Sequence, residues 1–482
     1  MTQTLQLLLI VQVCLGAFDT LYHHEFTERL PWRTSQKDEL RLHGTRNLIY
    51  AVFFVAISFI ELTGLFAWLL GAAIGLELLV TLQDFVEEDQ TRKLPASERV
   101  THTLMAFNFG AIVALMAPML SGWARQPTGI DLAIDGYWSA IMAFASVAVA
   151  LFGIRDLLAA RRLTRMAGVP HQPLLTRTGK RRSILITGGT GFVGTRLVEA
   201  LVDNGDAVTV LTRKLASAVH LKAPLSLITD LDQIDPSQQF DAIVNLAGQP
   251  TAGWLWTDAY KKQLLGSRVA MTNNLVSLLK RLDVPPDCLI NGSAIGAYGV
   301  DVPEPTGDDQ PVRPDSSFAQ RLCREWEAAA EPAAALGVRT VALRIGMVLD
   351  TAGGPLGQML FAFEFGLGGP FGSGDQWMSW ITRDDLVRLI DHAIRSDDLA
   401  GALNATTPNP AKNIDFARAL GKALRRPAVL PVPAILLDKG IGALGREIFL
   451  ASQNIIPTRA LESGFRFESA TLEDAFARFF RL

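Results

Sequence analysis

A glycine-rich stretch after a short apolar run carries the clearest chemical signal in the chain. Residues 183–196 read Ser-Ile-Leu-Ile-Thr-Gly-Gly-Thr-Gly-Phe-Val-Gly-Thr-Arg, which spaces Gly188, Gly191 and Gly194 regularly. The first glycine permits a tight turn, the second lets the backbone approach a pyrophosphate, and the third lets a helix pack closely on a sheet. The N–H groups that begin this helix would hold the phosphates, and they belong to Phe192, Val193 and Gly194. The pattern predicts a dinucleotide-binding site, and the alternative is a glycine-rich loop without a ligand.

The ends of the next strand-like segments indicate which dinucleotide would bind. A carboxylate at the end of the second strand would bind the ribose 2′-hydroxyl of NAD, but this chain has Thr212 and then Arg213, which suits the 2′-phosphate of NADP. NADP(H) is therefore the expected cofactor. Asp230 follows the third strand and is a candidate for an adenine contact. The residues that end the fourth strand, where the chain would pass under the cofactor, are Leu246, Ala247 and Gly248.

Strand-like and helix-like segments alternate from residue 183 onward. The predicted strands after the first are 207–213, 226–229, 242–248, 288–294 and 340–349, and the predicted helices are 191–204, 257–282, 317–336 and 383–396. Such alternation is typical of a parallel sheet covered by helices on both faces. The expected fold class is therefore α/β, with a Rossmann-like doubly wound parallel sheet.

The first third of the chain has the composition of a membrane domain. Only 19% of the 482 residues are charged, and the mean hydropathy is positive, at +0.23, which is unusual for a wholly soluble protein. Apolar segments at 4–22, 46–62, 65–84, 102–123 and 136–157 are each near the ~20 residues that cross a bilayer. They predict an all-α domain of about five transmembrane helices, with a re-entrant hairpin as the alternative for the second and third segments.

Basic residues between these segments predict their orientation. The connection after the first segment carries five Lys or Arg residues between positions 29 and 46, whereas the connection after the fourth carries only Arg125. By the positive-inside rule, the first connection is cytoplasmic and the N-terminus is outside. We therefore expect a multi-pass protein of the cell inner membrane, in contact with membrane lipid, whose C-terminal domain lies in the cytoplasm. The net charge of −3 gives no indication of nucleic-acid binding.

Histidines and carboxylates recur in the predicted membrane domain at helical spacing. Asp19 and His23 are four residues apart, and so are Glu39 and His43. Ionisable groups at membrane depth are costly and often functional, and His with carboxylates can bind a transition metal. Two interpretations stay open: interfacial groups solvated by lipid headgroups, or a metal, haem or quinone site. The candidate metal ligands are His23, His43, Asp84 and His102.

Seven short motifs occur in one order through the second part of the chain. They are Thr187-Gly-Gly-Thr-Gly-Phe-Val-Gly194, Asn245-Leu-Ala-Gly248, Gly266-Ser-Arg268, Trp326-Glu327, Leu343-Arg-Ile-Gly346, Gly366-Leu-Gly-Gly-Pro370 and Trp380-Ile381. Together they resemble the atypical extended short-chain dehydrogenases/reductases, which are epimerase-like NADP-binding proteins with a family-specific C-terminal domain of unknown function. The resemblance covers residues 183–482. The N-terminal domain lies outside it and is only loosely similar to small quinone-linked membrane modules sometimes fused to this family.

The resemblance implies further nucleotide contacts and a catalytic serine. In addition to residues already named, the family's contacts map onto Gln263 and Arg268, with a surface salt bridge as the alternative for Arg268. Typical members of the wider superfamily use a serine followed by Tyr-x-x-x-Lys, in which the lysine lowers the pKa of the tyrosine. Ser293 occupies the serine position.

The resemblance does not supply the rest of that catalytic set. Alignment on Glu327 places Ala319 at the tyrosine position and Cys323 at the lysine position, and neither can do that chemistry. Tyr298 is the only nearby phenol, and it either serves in catalysis or packs at the mouth of the pocket. The catalytic candidates are therefore Ser293 and Tyr298.

We therefore expect a membrane-tethered, NADP-dependent oxidoreductase or epimerase that acts on a small or lipid-soluble substrate. A non-catalytic NADPH-binding sensor or assembly factor is the alternative, because Tyr-x-x-x-Lys is missing. For the N-terminal domain, a metal, haem or quinone redox module is the alternative to a simple anchor. The expected boundaries are 1–165 for the membrane domain, 166–182 for a basic, proline-containing linker, 183–427 for the nucleotide-binding domain with its substrate lobe, and 428–482 for the C-terminal segment.

Overall fold

The computed structural model describes residues 2–91, 94–167, 173–176, 179–251, 255–312 and 314–480. The chain divides into two compact units, residues 1–170 and 171–482. The expected linker at 166–182 falls across this division, and part of it lies outside the described residues.

Helices dominate the described part of the N-terminal unit. They are α1 (Gln3–Phe18), α2 (Lys37–Phe59), α3 (Leu65–Thr91), α4 (Ala96–Ala124) and α5 (Gly136–Ala167). A π-helical segment, Asp19–Thr27, continues α1, and two short strands, β1 (Ile60–Thr63) and β2 (Gly129–Leu132), pair antiparallel. Among the described residues, five helices are long and apolar enough to cross a membrane. The second and third apolar segments form two full-length helices of 23 and 27 residues, not one re-entrant hairpin.

Helices α2 and α5 approach closely where each carries a glycine. A Cβ added at Gly44 would lie 2.8 Å from the carbonyl oxygen of Gly153, and one added at Gly153 would lie 3.0 Å from the carbonyl oxygen of Gly44. Small residues allow two helix backbones to come together in this way. Apolar side chains join the helices elsewhere in the unit, among them Leu9, Phe54, Ile112, Met116 and Met142.

Strands and helices alternate through the described part of the C-terminal unit. The strands are β3 (Ser183–Thr187), β4 (Ala207–Leu211), β5 (Ser226–Ile228), β6 (Ala242–Asn245), β7 (Cys288–Ala294), β8 (Asp301–Thr306), β9 (Arg339–Ile345), β10 (Met347–Leu349), β11 (Trp377–Met378), β12 (Trp380–Thr382), β13 (Gly401–Ala405), β14 (Ala411–Lys412) and β15 (Ser452–Ile455). The helices are α6 (Phe192–Asn204), α7 (Asp258–Arg281), α8 (Phe318–Ala330), α9 (Gly354–Glu364), α10 (Arg383–Arg395), α11 (Asn413–Leu424), α12 (Thr458–Glu462) and α13 (Leu472–Phe480).

Seven of the described strands form one parallel sheet, in the spatial order β13-β9-β7-β6-β3-β4-β5. Successive side chains of a strand point to opposite faces. Ile184 and Ile186 therefore pack in the core that contains α6 and α10 residues, whereas Leu185 packs with α7 and α8 residues. Helices thus cover both faces, and the predicted doubly wound α/β fold is confirmed. The chain changes direction between β3 and β6, which is the kind of switch point where such sheets bind ligands.

The single strand expected at 340–349 is two strands in different sheets. β9 ends at Ile345 within the main sheet, whereas β10 pairs in parallel with β12. A Cβ at Gly346, between them, would lie 2.7 Å from the carbonyl oxygen of Ser379. The apolar run predicts an extended buried chain, but it does not predict that the chain leaves the main sheet at Gly346 and pairs with β12.

The C-terminal residues belong to the same compact unit as the nucleotide-binding fold. β15 pairs in parallel with β8, and α13 contributes Phe476, which packs edge-on against Phe416 of α11. The segment expected at 428–482 is therefore an integral part of the C-terminal unit.

Candidate functional site

The glycine loop between β3 and α6 has the close backbone approaches that its sequence predicts. Gly188 has φ +73°, a left-handed conformation that favours glycine, and a Cβ there would lie 2.6 Å from the carbonyl carbon of Leu246. A Cβ at Gly194 would lie 2.1 Å from the carbonyl oxygen of Gly188. Side chains larger than hydrogen at these positions would therefore force the first turn of α6 away from the sheet.

The N-terminus of α6 is suited to bind an anion. Gly191 is the residue before the helix, no described side chain caps it, and no acidic residue stands in the first turn. The first N–H groups of a helix have no acceptor within the helix, so those of Phe192, Val193 and Gly194 can donate to a phosphate. The loop and the helix start therefore fit the pyrophosphate of a dinucleotide.

The residues after β4 and β5 differ in their freedom to contact a nucleotide. Thr212 is buried and its hydroxyl donates to the carbonyl oxygen of Lys214 at 3.1 Å. Arg213 is exposed and forms no hydrogen bond or ion pair with a described residue, so its guanidinium can reach a phosphate. Asp230 instead accepts the N–H of Asp232 at 2.9 Å and caps a short helical turn.

Arg268 on α7 forms hydrogen bonds that hold the chain after β6 in place. It is buried, and its guanidinium donates to the carbonyl oxygens of Leu264 and Gln249, each at 3.0 Å. A Cβ at Gly248 would lie 2.9 Å from Arg268 Cζ, so the glycine lets the guanidinium pack against this segment. The structure thus shows a buried arginine instead of a surface salt bridge. Gln263, nearer the start of α7, is exposed.

Ser293 lies in a three-residue polar network near the carboxyl end of β7. Its hydroxyl donates to Glu327 Oε1 at 2.5 Å. Arg344, directly opposite Ser293 on β9, donates from Nε and Nη2 to the two oxygens of the same carboxylate, each at 2.9 Å. Burial opposes the charge on Arg344, but the hydrogen bonds with Glu327 outweigh it and raise the pKa of the guanidinium. Two parallel hydrogen bonds fix the orientation of the carboxylate, which holds Glu327 against Ser293.

Tyr298 lies beside this network in a buried position. Its hydroxyl donates to Asn404 Oδ1 at 2.9 Å, and the guanidinium of Arg344 lies 4.7 Å from the ring centroid. Burial raises the pKa of the phenol above its ordinary value of 10.0. A phenol with a raised pKa is a poor base near neutral pH, so the environment of Tyr298 favours packing over proton transfer.

The positions that correspond to Tyr-x-x-x-Lys are buried and carry no charge. A Cβ added at Gly296 would lie 3.3 Å from Ala319 Cβ and 3.6 Å from Cys323 Sγ, so both face the chain after β7. Burial raises the pKa of the Cys323 thiol to about 11, which keeps it neutral near pH 7. Glu327, one turn beyond Cys323, is the ionisable group that α8 presents here. Sequence reasoning used Glu327 only to align the helix.

The candidate metal ligands of the N-terminal unit are brought near one another but not into one group. His102 Nε2 lies 3.0 Å from Asp19 Oδ2. Asp19 also contacts His23, with 2.9 Å between Oδ1 and Nδ1. His43 pairs with Asp156 at 2.8 Å, and Asp84 pairs with Arg46 at 2.8 Å.

A different set of four residues forms the compact group of ligand atoms around His102. They are Asp19, His24, Glu98 and His102, which we call the Asp19 cluster, and all are buried. The sequence pairs Asp19 with His23 at α-helical spacing. That pair forms, and the π-helix adds His24, because its i→i+5 hydrogen bonds also bring His24 to the face of Asp19. No signal in the sequence indicates that local widening.

Comparisons with known proteins extend over the C-terminal unit. The sequence profile of the NAD dependent epimerase/dehydratase family matches residues 184–405, and that of a domain of unknown function (DUF1731) matches residues 432–479. The chain is 34% identical over 333 residues to an Arabidopsis thaliana protein named epimerase family protein SDR39U1 homolog, chloroplastic, which covers 67% of this chain and 94% of the relative. It is 34% identical over 286 residues to the human epimerase family protein SDR39U1, over 59% of this chain and 94% of that protein.

A solved structure agrees with this relationship. The crystal structure of human SDR39U1 (isoform 2) with NADPH matches with a TM-score of 0.56 and 32% sequence identity, covering 62% of this chain and 99% of that chain. The sheet order, the glycine loop and the C-terminal profile all agree with the resemblance that the motifs carry. The chain therefore belongs to the epimerase family of extended short-chain dehydrogenases/reductases that includes the SDR39U1 proteins.

Proposed function

We propose that this chain is a membrane-tethered, NADP(H)-dependent oxidoreductase or epimerase that acts on a small or lipid-soluble substrate. The observation that carries the proposal is the network of Ser293, Glu327 and Arg344. It lies at the carboxyl ends of β7 and β9, the edge of the sheet that also carries the glycine loop. A proton-transferring group is thus available where doubly wound sheets bind their ligands.

The network supports proton transfer in either direction. NADP(H), when bound, supplies or accepts a hydride. In oxidation of a substrate alcohol, Ser293 Oγ would take the alcohol proton while its own proton passes to Glu327, and in reduction of a carbonyl the protons would move the opposite way. The side chain of Glu327 is 19% exposed, so it can exchange that proton with solvent. Arg344 keeps the carboxylate in position throughout.

Two observations support NADP(H) as the cofactor. The exposed Arg213 stands at the end of the strand whose last residues select between the two nucleotides. The human relative was crystallised with NADPH. The choice of NADP(H) for this chain rests on the chemistry of Arg213, because a guanidinium can form two charge-assisted hydrogen bonds with a phosphate.

The exposed surface of the N-terminal helices supports the proposal that they anchor the chain in a membrane. Large apolar side chains are exposed along α3, α4 and α5, among them Trp68 (69%), Leu79 (64%), Phe107 (75%), Phe144 (78%) and Leu151 (63%). Apolar patches of this extent need a partner, and lipid is the partner that suits apolar helices of this length. We propose five spans in the cell inner membrane, with the nucleotide-binding unit in the cytoplasm.

A non-catalytic NADPH-binding sensor or assembly factor is the second candidate. The neutral, buried Ala319 and Cys323 at the usual acid–base positions favour it. The two candidates differ in turnover, not in nucleotide binding.

A turnover assay on the full-length protein in detergent distinguishes the enzyme from the sensor. The protein is incubated with NADPH or NADP⁺ and fractionated lipid and metabolite extracts, with cofactor absorbance and mass spectrometry as readouts. An enzyme converts a metabolite in step with the cofactor, and Gly191→Val, which places a side chain in the pyrophosphate path, shows no conversion. Tight NADPH binding with no conversion in any fraction would support the sensor.

A further inference from the structure

We propose that the Asp19 cluster binds one divalent first-row transition-metal ion. The cluster combines two imidazoles and two carboxylates from the π-helical segment and α4. All four residues are nearly inaccessible, at 1%, 2%, 0% and 5% exposure for Asp19, His24, Glu98 and His102. One ligand atom from each lies within 4.8 Å of all the others. Mixed imidazole and carboxylate ligation suits iron, manganese or zinc.

Two of three nitrogen–oxygen distances in the cluster match the spacing of ligand atoms around a metal ion, and the third is that of a hydrogen bond. His24 Nε2 lies 3.4 Å from Asp19 Oδ2 and 3.5 Å from Glu98 Oε1, and His102 Nε2 lies 3.0 Å from the same Asp19 oxygen. Metal–ligand bonds of about 2.1 Å place tetrahedral ligand atoms about 3.4 Å apart. The four side chains therefore surround a space that one ion would fill with small adjustments.

His24 is the residue that most needs such an ion. It is buried, and neither of its ring nitrogens forms a hydrogen bond with a described residue. A buried imidazole that forms no hydrogen bond is destabilised, and His24 Nε2 has only longer ion-pair contacts with Asp19 and Glu98. Its Nε2 points at the two carboxylates, so a bound cation would satisfy the imidazole and the carboxylates together.

The surrounding charges also favour a cation. Glu39 and Glu88 come within the same distance of His24 as a second, overlapping group, so four carboxylates gather in a buried region. Buried carboxylates are stable when they are paired with cations or coordinate a metal. A divalent ion held by Asp19 and Glu98 would be attracted by all four carboxylates.

Neighbouring residues hold the ligands as supporting groups do in known metal sites. His102 Nδ1 lies 3.3 Å from Glu88, which leaves Nε2 for the ion. His23 Nδ1 contacts the other oxygen of Asp19 at 2.9 Å. The ring of His43 packs at 4.4 Å from that of His24. Carboxylates behind ligating histidines fix the ring and its tautomer.

The cluster has a route of entry through the N-terminal unit. A largely apolar cavity of about 760 Å³ is lined by Asp19 and His102 together with His43 and Arg46. Two ligands of the cluster thus face a space large enough for an ion and for a small apolar molecule. The π-helix that presents Asp19 is of a kind frequent at functional sites.

The competing interpretation is a metal-free network of protonated histidines and carboxylates. Full-length protein in detergent is stripped with a chelator and titrated separately with Fe(II), Mn(II), Co(II) and Zn(II), with elemental analysis of protein as purified. We expect about one equivalent per chain and a Co(II) absorption spectrum typical of nitrogen and oxygen ligands. Wild-type protein that binds none of the four ions would overturn the proposal.

Variants locate the ion. His24→Gln and Glu98→Gln preserve side-chain size and should each weaken metal binding at least tenfold, since even supporting groups cost 10–100-fold. Glu77→Gln is the matched control, because Glu77 is a buried carboxylate of α3 outside the cluster that accepts from Thr81. If either variant fails to fold, X-ray absorption of the zinc-loaded wild type counts the imidazole ligands directly. Two imidazoles with oxygen ligands support the site, whereas any sulfur ligand or unchanged binding in both variants would place the ion elsewhere.

Discussion

The hydroxyl of Ser293 on β7 donates to Glu327 of α8 across a distance of 2.5 Å. The bond joins the serine expected from the family to a carboxylate one helical turn beyond Cys323, which occupies the position of the usual lysine. If this pair transfers protons, Glu327→Gln should lower turnover by about 10²–10⁴-fold while the affinity for NADPH stays the same. Steady-state rates on the identified substrate and calorimetric NADPH titration measure the two effects.

Glu325→Gln is the matched control for this prediction. Glu325 lies on the same helix, and its side chain is 43% exposed. It should keep wild-type turnover. Equal rates for Glu327→Gln and the wild type would remove Glu327 from the mechanism.

Arg213 should set the preference for the phosphorylated nucleotide. Arg213→Ala removes charge-assisted hydrogen bonds to the 2′-phosphate, so we expect affinity for NADPH to fall about 10–100-fold and affinity for NADH to change little. Calorimetric titration with both nucleotides gives the ratio. Arg418→Ala, at an arginine that is 69% exposed on α11, should alter neither affinity. Equal losses for NADPH and NADH at Arg213 would contradict the assignment.

The contact of α2 with α5 should be intolerant of a single methyl group. A Cβ at Gly44 would meet backbone at 2.8 Å, and such overpacking costs about 1–3 kcal/mol. Gly44→Ala should therefore lower the melting temperature of the full-length protein in detergent. Gly110→Ala, in α4, has no atom within 4 Å of the new Cβ, and it should be neutral or stabilising because alanine is the better helix former. The reverse ranking would show that the helices do not pack as described.

Arg182 should couple stability to pH in the C-terminal unit. Its Nη2 donates to Asp206 and Asp391, each at 2.7 Å, and all three side chains are buried. Burial opposes ionisation of Asp206, but the hydrogen bonds from Arg182 outweigh it and lower the pKa of this carboxyl below its ordinary 3.8. The stabilisation is therefore present above pH 3.8 and lost as pH falls through the lowered pKa.

Arg182→Met tests this coupling through pulse proteolysis across a pH series. Breaking a buried pair costs about 3–5 kcal/mol, so the variant should be much less stable than wild type at pH 7. The difference should shrink as pH falls below 3.8, because Asp206 becomes protonated as pH passes through its lowered pKa. Lys180→Met, which removes an exposed pair with Asp241, should change stability little. A difference that stays constant with pH would mean that the charge of Arg182 is not what stabilises the unit.

The proposed orientation in the membrane is open to a direct test. Reporters fused after Arg46 and after Arg165 should read cytoplasmic, and a reporter fused after Thr128 should read external. The reason is the excess of Lys and Arg between positions 29 and 46, a stretch that includes the start of α2. The opposite pattern would overturn the five-span topology and would place the nucleotide-binding unit away from NADPH.

Local sequence signals predicted the nucleotide loop well. The close contact of Gly194 is with Gly188 of the same strand–turn–helix, so a few residues contain it, whereas Gly188 itself contacts Leu246 after β6. The doubly wound sheet was also predictable, because the composition of each segment indicates a strand or a helix. The parallel arrangement follows from their alternation.

Features that depend on distant partners were not predictable in the same way. Glu327 and Arg344 form an ion pair because α8 and β9 pack together, and the two residue types alone do not predict that pair. The Asp19 cluster depends on a π-helical turn that shifts the spacing by one residue, so that His24 joins the cluster while His23 contacts the other oxygen of Asp19. Periodicity arguments assume a regular α-helix and miss such a shift.

The surroundings of Tyr298 are completed by the distant strand β15. Gln453 of β15 donates to the carbonyl oxygens of Ile295 and Gly299, which flank Tyr298, and Asn404 donates to the carbonyl oxygen of Ile456. Gln453 lies 158 and 154 positions beyond Ile295 and Gly299, so the contacts form only after the glycine loop and the whole of the main sheet have been synthesised. A truncation before Gln453 would therefore spare the glycine loop and still remove the contacts that hold the chain around Tyr298.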